Sequence, residues 1–194
     1  MHIHRGTALL AAAALLIALT GCTDAEPSPP GAASSASAEP SPSPSPSVVP
    51  ATGPLVTLKS TATFRLPADV EWYIYDDNPN AIAIESNDIP VGADGFVQIQ
   101  STEFPQITTD LARMAQAAHD NQETTRKISL TIGENRTIAG VEGYVLEGQD
   151  DEAQYYEWGG LDADNILTVV RFTVPAGLDL EDWAEPVLAS LQWQ

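Results

Sequence analysis

Proline is distributed unevenly along this chain, and that distribution limits where a folded domain can form. Nine of the 15 prolines lie in residues 23–54 together with eight serines, and the other six prolines are spread over residues 55–194. A segment so rich in proline and serine, with few large apolar side chains, cannot bury enough apolar surface to fold. We therefore interpret residues 22–54 as a disordered spacer and residues 55–194 as one globular domain.

The residues before the spacer have the features of an export signal. Arg5 supplies a positive charge, and residues 8–19 form an apolar run that is too short to span a membrane. The run ends in Leu-Thr-Gly-Cys at 19–22, which resembles the lipobox of bacterial lipoproteins. The resemblance implies a signal peptide over 1–21, cleavage before Cys22 and lipidation of its sulfur. The alternative is an ordinary secretory signal with an incidental cysteine.

The lipobox resemblance also implies a location. A protein acylated at Cys22, for example with palmitate chains, is anchored to the membrane without spanning it, so we expect the domain at the extracytoplasmic face of the cell membrane. An extended spacer at roughly 3.1 Å per residue would hold the domain up to ~100 Å from the bilayer. Cys22 is the only cysteine, so the domain must be stabilised by its core without a disulfide.

Net charge excludes one class of partner. Residues 55–194 carry 24 acidic and seven basic side chains, a net charge of −17. An anionic surface repels phosphate backbones, so we predict no nucleic-acid binding. The same charge argues against electrostatic docking on anionic lipid. We expect the domain to be a monomer.

Alternating apolar side chains predict most of the domain to be strands. The alternation begins near Val56 and returns in several segments, of which residues 165–174 form the longest and are densest in β-branched side chains. Turn residues separate the segments, as at 92–95. Short strands joined by such turns are typical of an antiparallel sheet.

Two segments have helical periodicity instead. Residues 107–121 repeat apolar side chains at intervals of three and four, and either Thr108 or Thr109 could cap the start. Residues 180–191 repeat the pattern, with Pro186 expected in the first helical turn, where its missing N–H costs little. The fold class that follows is α+β, an antiparallel sheet with helices packed on it.

Three short motifs and the order of the elements resemble the PsbP-like fold. Phe-Arg-Leu-Pro at 64–67 followed by Trp72 is similar to its opening Phe-x-x-Pro-x-x-Trp. Residues 137–144 are similar to a glycine-containing strand of that fold, and Leu-Ala-Ser-Leu at 188–191 to its last helix. The fold is shared by plant PsbP and actinobacterial LpqN-type lipoproteins. The resemblance covers most of residues 58–193 and implies a binding role rather than catalysis, but it identifies no site residue.

Residues that could support catalysis are few. His119 is the only histidine beyond the predicted signal peptide, and it lies on the expected outer side of the first helix. With no second histidine and no free cysteine, transition-metal sites and Ser-His-Asp or Cys-His catalysis lack partners. We therefore predict no enzymatic activity, no catalytic residue and no cofactor. Paired carboxylates leave a small carboxylate-based hydrolase as an alternative.

Acidic turns are the only candidates for a metal site. Residues 162–165 begin like a calcium-binding loop, but the glycine and the final glutamate of such a loop are missing. Asp150, Asp151 and Glu152 could form an irregular calcium site. We predict no metal and keep these three residues as candidates.

Aromatic side chains are the remaining candidates for ligand binding. Neighbours in a strand point to opposite faces, so Tyr155 and Tyr156 cannot both enter one core. Some aromatic surface is therefore expected to be exposed. Such a surface could line a groove that binds lipid or sugar. The candidates are Trp72, Tyr75, Tyr156 and Trp158.

The sequence thus predicts a membrane-anchored, extracytoplasmic lipoprotein with a non-enzymatic domain that binds a protein partner or an apolar ligand. A carrier of envelope lipid or glycolipid is the first alternative, and the carboxylate-based hydrolase is the second.

Overall fold

The computed structural model covers the globular part of the chain. All described residues belong to one compact unit, Ser45–Gln194. The predicted signal peptide, Cys22 and most of the predicted spacer lie outside them. No helix in this part of the chain is long and apolar enough to cross a membrane. The structure describes residues 48–58, 62–76, 78, 80–86, 88–89 and 95–194.

Strands predominate, as the alternating pattern predicts. The described residues form eleven of them: β1 (Leu55–Thr57), β2 (Ala62–Arg65), β3 (Tyr73–Tyr75), β4 (Ala81–Ser86), β5 (Val97–Pro105), β6 (Thr131–Ile132), β7 (Arg136–Ile138), β8 (Val141–Gln149), β9 (Ala153–Leu161), β10 (Ile166–Pro175) and β11 (Gln192–Trp193). Two α-helices join them, α1 (Leu111–Asn121) and α2 (Leu180–Ala189), and a π-helical segment (Gln122–Arg126) continues directly from α1.

The strands form two antiparallel sheets. Eight belong to a large sheet in the order β3-β4-β5-β10-β9-β8-β6, with β7 also pairing with β8. The other three form a small sheet in the order β1-β2-β11. With two helices packed against the large sheet, the predicted α+β class is confirmed.

Each face of the large sheet is covered by a different helix. On β10, Val170 and Phe172 point into the larger core, which also contains residues of α2 and of the small sheet. Leu167 and Val169 point the other way, into a second core with Met114 of α1. The domain therefore has three layers, because a strand buried on both sides supplies apolar residues to two cores.

The start of α1 differs from the prediction. Its N-cap is Asp110, whose carboxylate accepts a hydrogen bond from the Arg113 N–H at 3.1 Å. Thr108 instead accepts the N–H of Asp110 at 3.2 Å, and Ile107 is fully exposed before the helix. The predicted threonine cap is wrong because an aspartate next to the first turn is an equally good acceptor and lies in the extended conformation that a cap requires.

The position of Pro186 also differs. Asp179 caps α2, so Pro186 is the seventh residue of the helix rather than part of its first turn. Its ring removes one internal hydrogen bond of a ten-residue helix. The Pro186 carbonyl accepts the N–H of Ala51 at 2.8 Å, which ties the buried Ala51 to the helix.

Candidate functional site

A cleft of about 430 Å³ lies between α1 and the large sheet. Its volume is within the range of small-molecule pockets. Phe104 of β5 lines the cleft and is 40% exposed, and Met114 of α1 and Val169 of β10 are among its apolar walls. Six of the twelve lining residues are polar, so the cleft combines apolar walls with polar groups. The lining is Thr102, Phe104, Gln106, Met114, Ala117, Ala118, Asn121, Tyr144, Glu157, Leu167, Val169 and Arg171.

A buried ion pair lies in the lining of this cleft. Glu157, in the middle of β9, is 1% exposed. Arg171 of β10 is its partner across the strand pair, and its Nε and Nη2 lie 2.7 and 2.6 Å from Glu157 Oε2. Both nitrogens converge on one carboxylate oxygen, a charge-assisted contact that fixes the guanidinium.

Tyr144 completes the other side of the carboxylate. Its hydroxyl donates to Glu157 Oε1 at 2.8 Å. Tyr144 is opposite Gly159 in the β8–β9 ladder, and a Cβ on Gly159 would stand 2.3 Å from the Tyr144 ring. The glycine is therefore required for the ring to lie flat across β9, because any larger residue would displace the hydroxyl from Glu157.

The π-helical segment brings two more polar side chains to the same place. Gln122 is 1% exposed, and its Nε2 donates to Glu157 Oε2 at 2.8 Å. Arg126, four residues later, donates through Nη2 to Gln100 Oε1 at 3.1 Å. Arg171 Nη1 lies 3.4 Å from the same Gln100 oxygen. We name Gln100, Gln122, Arg126, Tyr144, Glu157 and Arg171 the polar cluster.

Two buried atoms of the polar cluster have no hydrogen-bond partner among the described residues. They are Oε1 of Gln122 and Nη1 of Arg126. One is an acceptor and the other a cationic donor. Buried polar atoms in folded proteins are nearly always paired, so both atoms are candidates for interaction with a ligand or solvent.

Burial and neighbouring charges shift the pKa values of two members of the polar cluster. Burial raises the pKa of the Tyr144 hydroxyl, and the Glu157 charge raises it further. Tyr144 therefore stays protonated and acts as a donor. Burial lowers the pKa of Arg126, with Arg171 as the next cause, but a guanidinium remains charged at neutral pH. The polar cluster thus holds two cations and one carboxylate in place.

The four aromatic candidates do not form one groove. Tyr75 is on the edge strand β3 and half exposed. Trp72 packs edge-on against Trp183 of α2, with ring centroids 6.0 Å apart. Trp158 is fully buried, so its indole offers a ligand no surface, and Nε1 donates to the Arg136 carbonyl at 3.0 Å.

Tyr156 lines a second cleft, of about 680 Å³, on the α2 side of the large sheet. There Arg136 and Glu185 form a two-pronged ion pair with N–O distances of 2.5 and 2.6 Å. The Glu185 hydrogen bonds raise the pKa of Arg136. The charges of this pair satisfy each other, which makes this cleft the weaker candidate for a ligand.

The acidic candidates are engaged in turns. Asp150 Oδ1 accepts the N–H groups of Glu152 and Ala153, and Oδ2 accepts the Tyr155 hydroxyl at 2.9 Å. The backbone bonds lower the pKa of Asp150. Burial, and then the bond to Asp150, raise the pKa of Tyr155 to about 12. Asp151 is exposed in the same turn.

Other polar residues considered from the sequence also bond to groups close to them in the chain. Asp162 Oδ1 accepts the N–H groups of Asp164 and Ile166, as in an Asx-type turn. His119 is half-buried rather than on the outer side of α1 as predicted, with 20% of its side chain exposed, and its Nδ1 lies 3.3 Å from Asp120 Oδ1. Within the described ranges, no three His, Cys, Asp or Glu side chains are grouped so that they could hold a metal ion.

No member of the polar cluster was a candidate from the sequence. One signal was available: Glu157 and Arg171 are single charged residues at the centres of long apolar strands. A charged residue in such a position needs a partner, because burying an unpaired charge is costly. The sequence does not show that the two residues face each other.

Comparisons with known proteins identify no family. No protein-family model matches the sequence, and no curated protein matches it. Among solved structures, the chain is similar to LpqN, involved in cell envelope biogenesis of Mycobacterium tuberculosis, with 16% identity and a TM-score of 0.47, over 70% of this chain and 85% of LpqN. It is also similar to a protein of Bacteroides thetaiotaomicron VPI-5482, with 16% identity and a TM-score of 0.42, over 71% of this chain.

The chain spans about half the length of the Bacteroides protein, 49%. At this identity and with both TM-scores below 0.5, neither similarity assigns a family or a function to this chain. The PsbP-like resemblance of the sequence motifs stays a prediction.

Proposed function

We propose that this protein is a lipid-anchored, extracytoplasmic binding protein without enzymatic activity, and that the cleft under α1 takes a small apolar ligand. The lipobox at residues 19–22 and the proline-rich spacer support the anchor. The cleft supports the ligand class, and it is the observation that carries the proposal.

The cleft favours an apolar ligand over a protein partner. A protein interface requires a broad surface, whereas this cleft is a concave pocket of twelve lining residues with apolar walls from Met114, Leu167 and Val169. Its volume of about 430 Å³ accommodates a single chain or a compact apolar molecule. For an envelope lipid with two chains, a larger groove would be needed, so carriage of a whole lipid is the less favoured function.

Blocking the cleft tests this function. Ala117 lines the cleft, and Ala112 is also exposed on the same helix but does not line it. We expect residues 45–194, a compact unit, to bind the neutral fluorophore N-phenyl-1-naphthylamine. Ala117→Trp should weaken binding at least about tenfold by filling the groove, and Ala112→Trp should leave it unchanged. Absence of binding by the wild type, or equal loss in both variants, would rule out the cleft as the site.

Membrane anchoring is tested separately with the full chain. We expect the protein to enter the detergent phase when an extract of the producing cells is partitioned between detergent and water. The reason is that acyl chains on Cys22 contribute about 0.8 kcal/mol of membrane-binding free energy per buried CH2. Cys22→Ala should prevent acylation and the processing that depends on it. If the variant incorporates as much labelled fatty acid as the wild type, Cys22 is not the acylated residue.

A further inference from the structure

We propose that the ligand of the α1 cleft carries an anionic group, which binds against Arg171 in the cleft lining and against Arg126, which shares Gln100 with Arg171. This inference rests on the proposed function and names the chemistry of the ligand: a single-chain amphiphile with a carboxylate or phosphate head group.

The charge balance of the polar cluster is the first support. Acidic side chains outnumber basic ones by 24 to seven in residues 55–194, yet the cluster contains two guanidiniums and one carboxylate. Glu157 pairs with Arg171 at 2.6 Å, and its other contacts are with Tyr144 and Gln122. The positive charge of Arg126 is left without a carboxylate in direct contact among the described residues.

The position of Gln100 is the second support. Its Oε1 is shared by Arg126 Nη2 at 3.1 Å and Arg171 Nη1 at 3.4 Å. Two guanidiniums thus converge on one neutral oxygen. An anionic oxygen that takes the place of Gln100 Oε1 would make stronger, charge-assisted bonds to both. Arg171 lines the cleft, whereas Gln100 and Arg126 lie outside the lining, so a head group in the cleft meets Arg171 first and Arg126 through the displacement of Gln100.

The two unpartnered atoms are the third support. Arg126 Nη1 is a cationic donor, and Gln122 Oε1 is an acceptor on a side chain that is 1% exposed. Gln122 cannot exchange its amide atoms, since its Nε2 already donates to Glu157. The cluster therefore retains an unused cationic donor, which an anion can engage, while the Gln122 oxygen is left for a donor such as solvent.

The walls of the cleft supply the apolar half of the ligand site. Met114, Ala118, Leu167 and Val169 line the groove together with Arg171. A ligand with one apolar chain and one terminal anion matches this combination of surfaces. Burying the chain supplies the driving force, and the head group sets its orientation.

A pair of probes that differ only in the head group tests the inference. Dodecanoate and 1-dodecanol are titrated calorimetrically into residues 45–194, below the critical micelle concentration, and dodecyl phosphate is added to separate carboxylate from phosphate. We expect the anionic probes to bind about tenfold more tightly than dodecanol, as a charge-assisted bond is stronger than a neutral one. The tighter of the two anions identifies the head group.

Two variants assign the effect to Arg126. Arg126→Gln should reduce the affinity for dodecanoate to that for dodecanol and leave dodecanol binding unchanged, which also shows that the cleft is intact. Lys127→Gln makes the same change in net charge on the exposed neighbouring residue and should alter neither affinity.

The outcomes separate this inference from the proposed function. Equal binding of dodecanol and dodecanoate by the wild type, lost in Ala117→Trp, would keep the cleft and overturn the anionic head group. A preference for dodecanoate that survives in Arg126→Gln would overturn the role of Arg126. No binding of any probe would overturn the proposed function itself.

Discussion

At the scale of single residues, the Glu157–Arg171 ion pair is more deeply buried than the Glu185–Arg136 ion pair. Glu157 and Arg171 are 1% and 20% exposed in their side chains, whereas Glu185 and Arg136 are 24% and 36% exposed. Removing one charge from a buried pair leaves the other uncompensated. We predict that Glu157→Gln lowers the free energy of unfolding by about 3 kcal/mol in urea denaturation of residues 45–194.

Glu185→Gln is the matched control for that prediction, since it makes the same chemical change in a more exposed pair. Solvent compensates the remaining Arg136, so a loss of only about 1 kcal/mol is expected. Equal losses in the two variants would mean that the burial of Glu157 does not determine its contribution.

At the scale of secondary-structure elements, the N-terminal cap stabilises α1, the helix that forms one wall of the cleft. Asp110 accepts the Arg113 N–H, and Thr109 makes no capping contact in the structure. We predict that Asp110→Ala lowers the free energy of unfolding by about 1 kcal/mol, measured by thermal denaturation, because the first turn loses an acceptor. Thr109→Ala should change it by less than about 0.5 kcal/mol. A larger effect of Thr109→Ala would instead support the threonine cap that the sequence predicted.

At the scale of the whole molecule, the net charge of −17 in residues 55–194 destabilises the folded state by self-repulsion. Raising the salt from about 10 mM to 0.15 M shortens the screening length from about 30 Å to about 8 Å. We predict that NaCl over this range raises the melting temperature of residues 45–194 by a few degrees in differential scanning calorimetry.

Divalent salts distinguish general screening of the negative charge from binding of calcium at a specific site. MgCl2 and CaCl2 at equal ionic strength should give equal melting temperatures, because the Asp150 oxygens are engaged within their own turn. A clearly larger shift with CaCl2 would instead indicate a calcium site at Asp150, Asp151 and Glu152.

Much of the fold was predictable, because strand alternation and helix periodicity are local properties. The α+β class and the antiparallel sheet followed from them, as did the existence of both helices. The start of α1 and the place of Pro186 were predicted wrongly, since several neighbouring residues offered equivalent caps and only the folded backbone selects one. The polar cluster was missed, because its six residues come from β5, β8, β9, β10 and the segment after α1.

By itself, the sequence determined the strand periodicity, the strong negative charge and the absence of a disulfide, because each depends only on residue type and local order. It also placed Glu157 and Tyr155 on one face of β9 through the period of two. Only the tertiary structure decided that α1 covers this face, that Arg171 stands opposite Glu157, and that Gln122 and Arg126 join them. Those relations depend on strand register and helix packing between residues up to 71 positions apart, which no local pattern encodes.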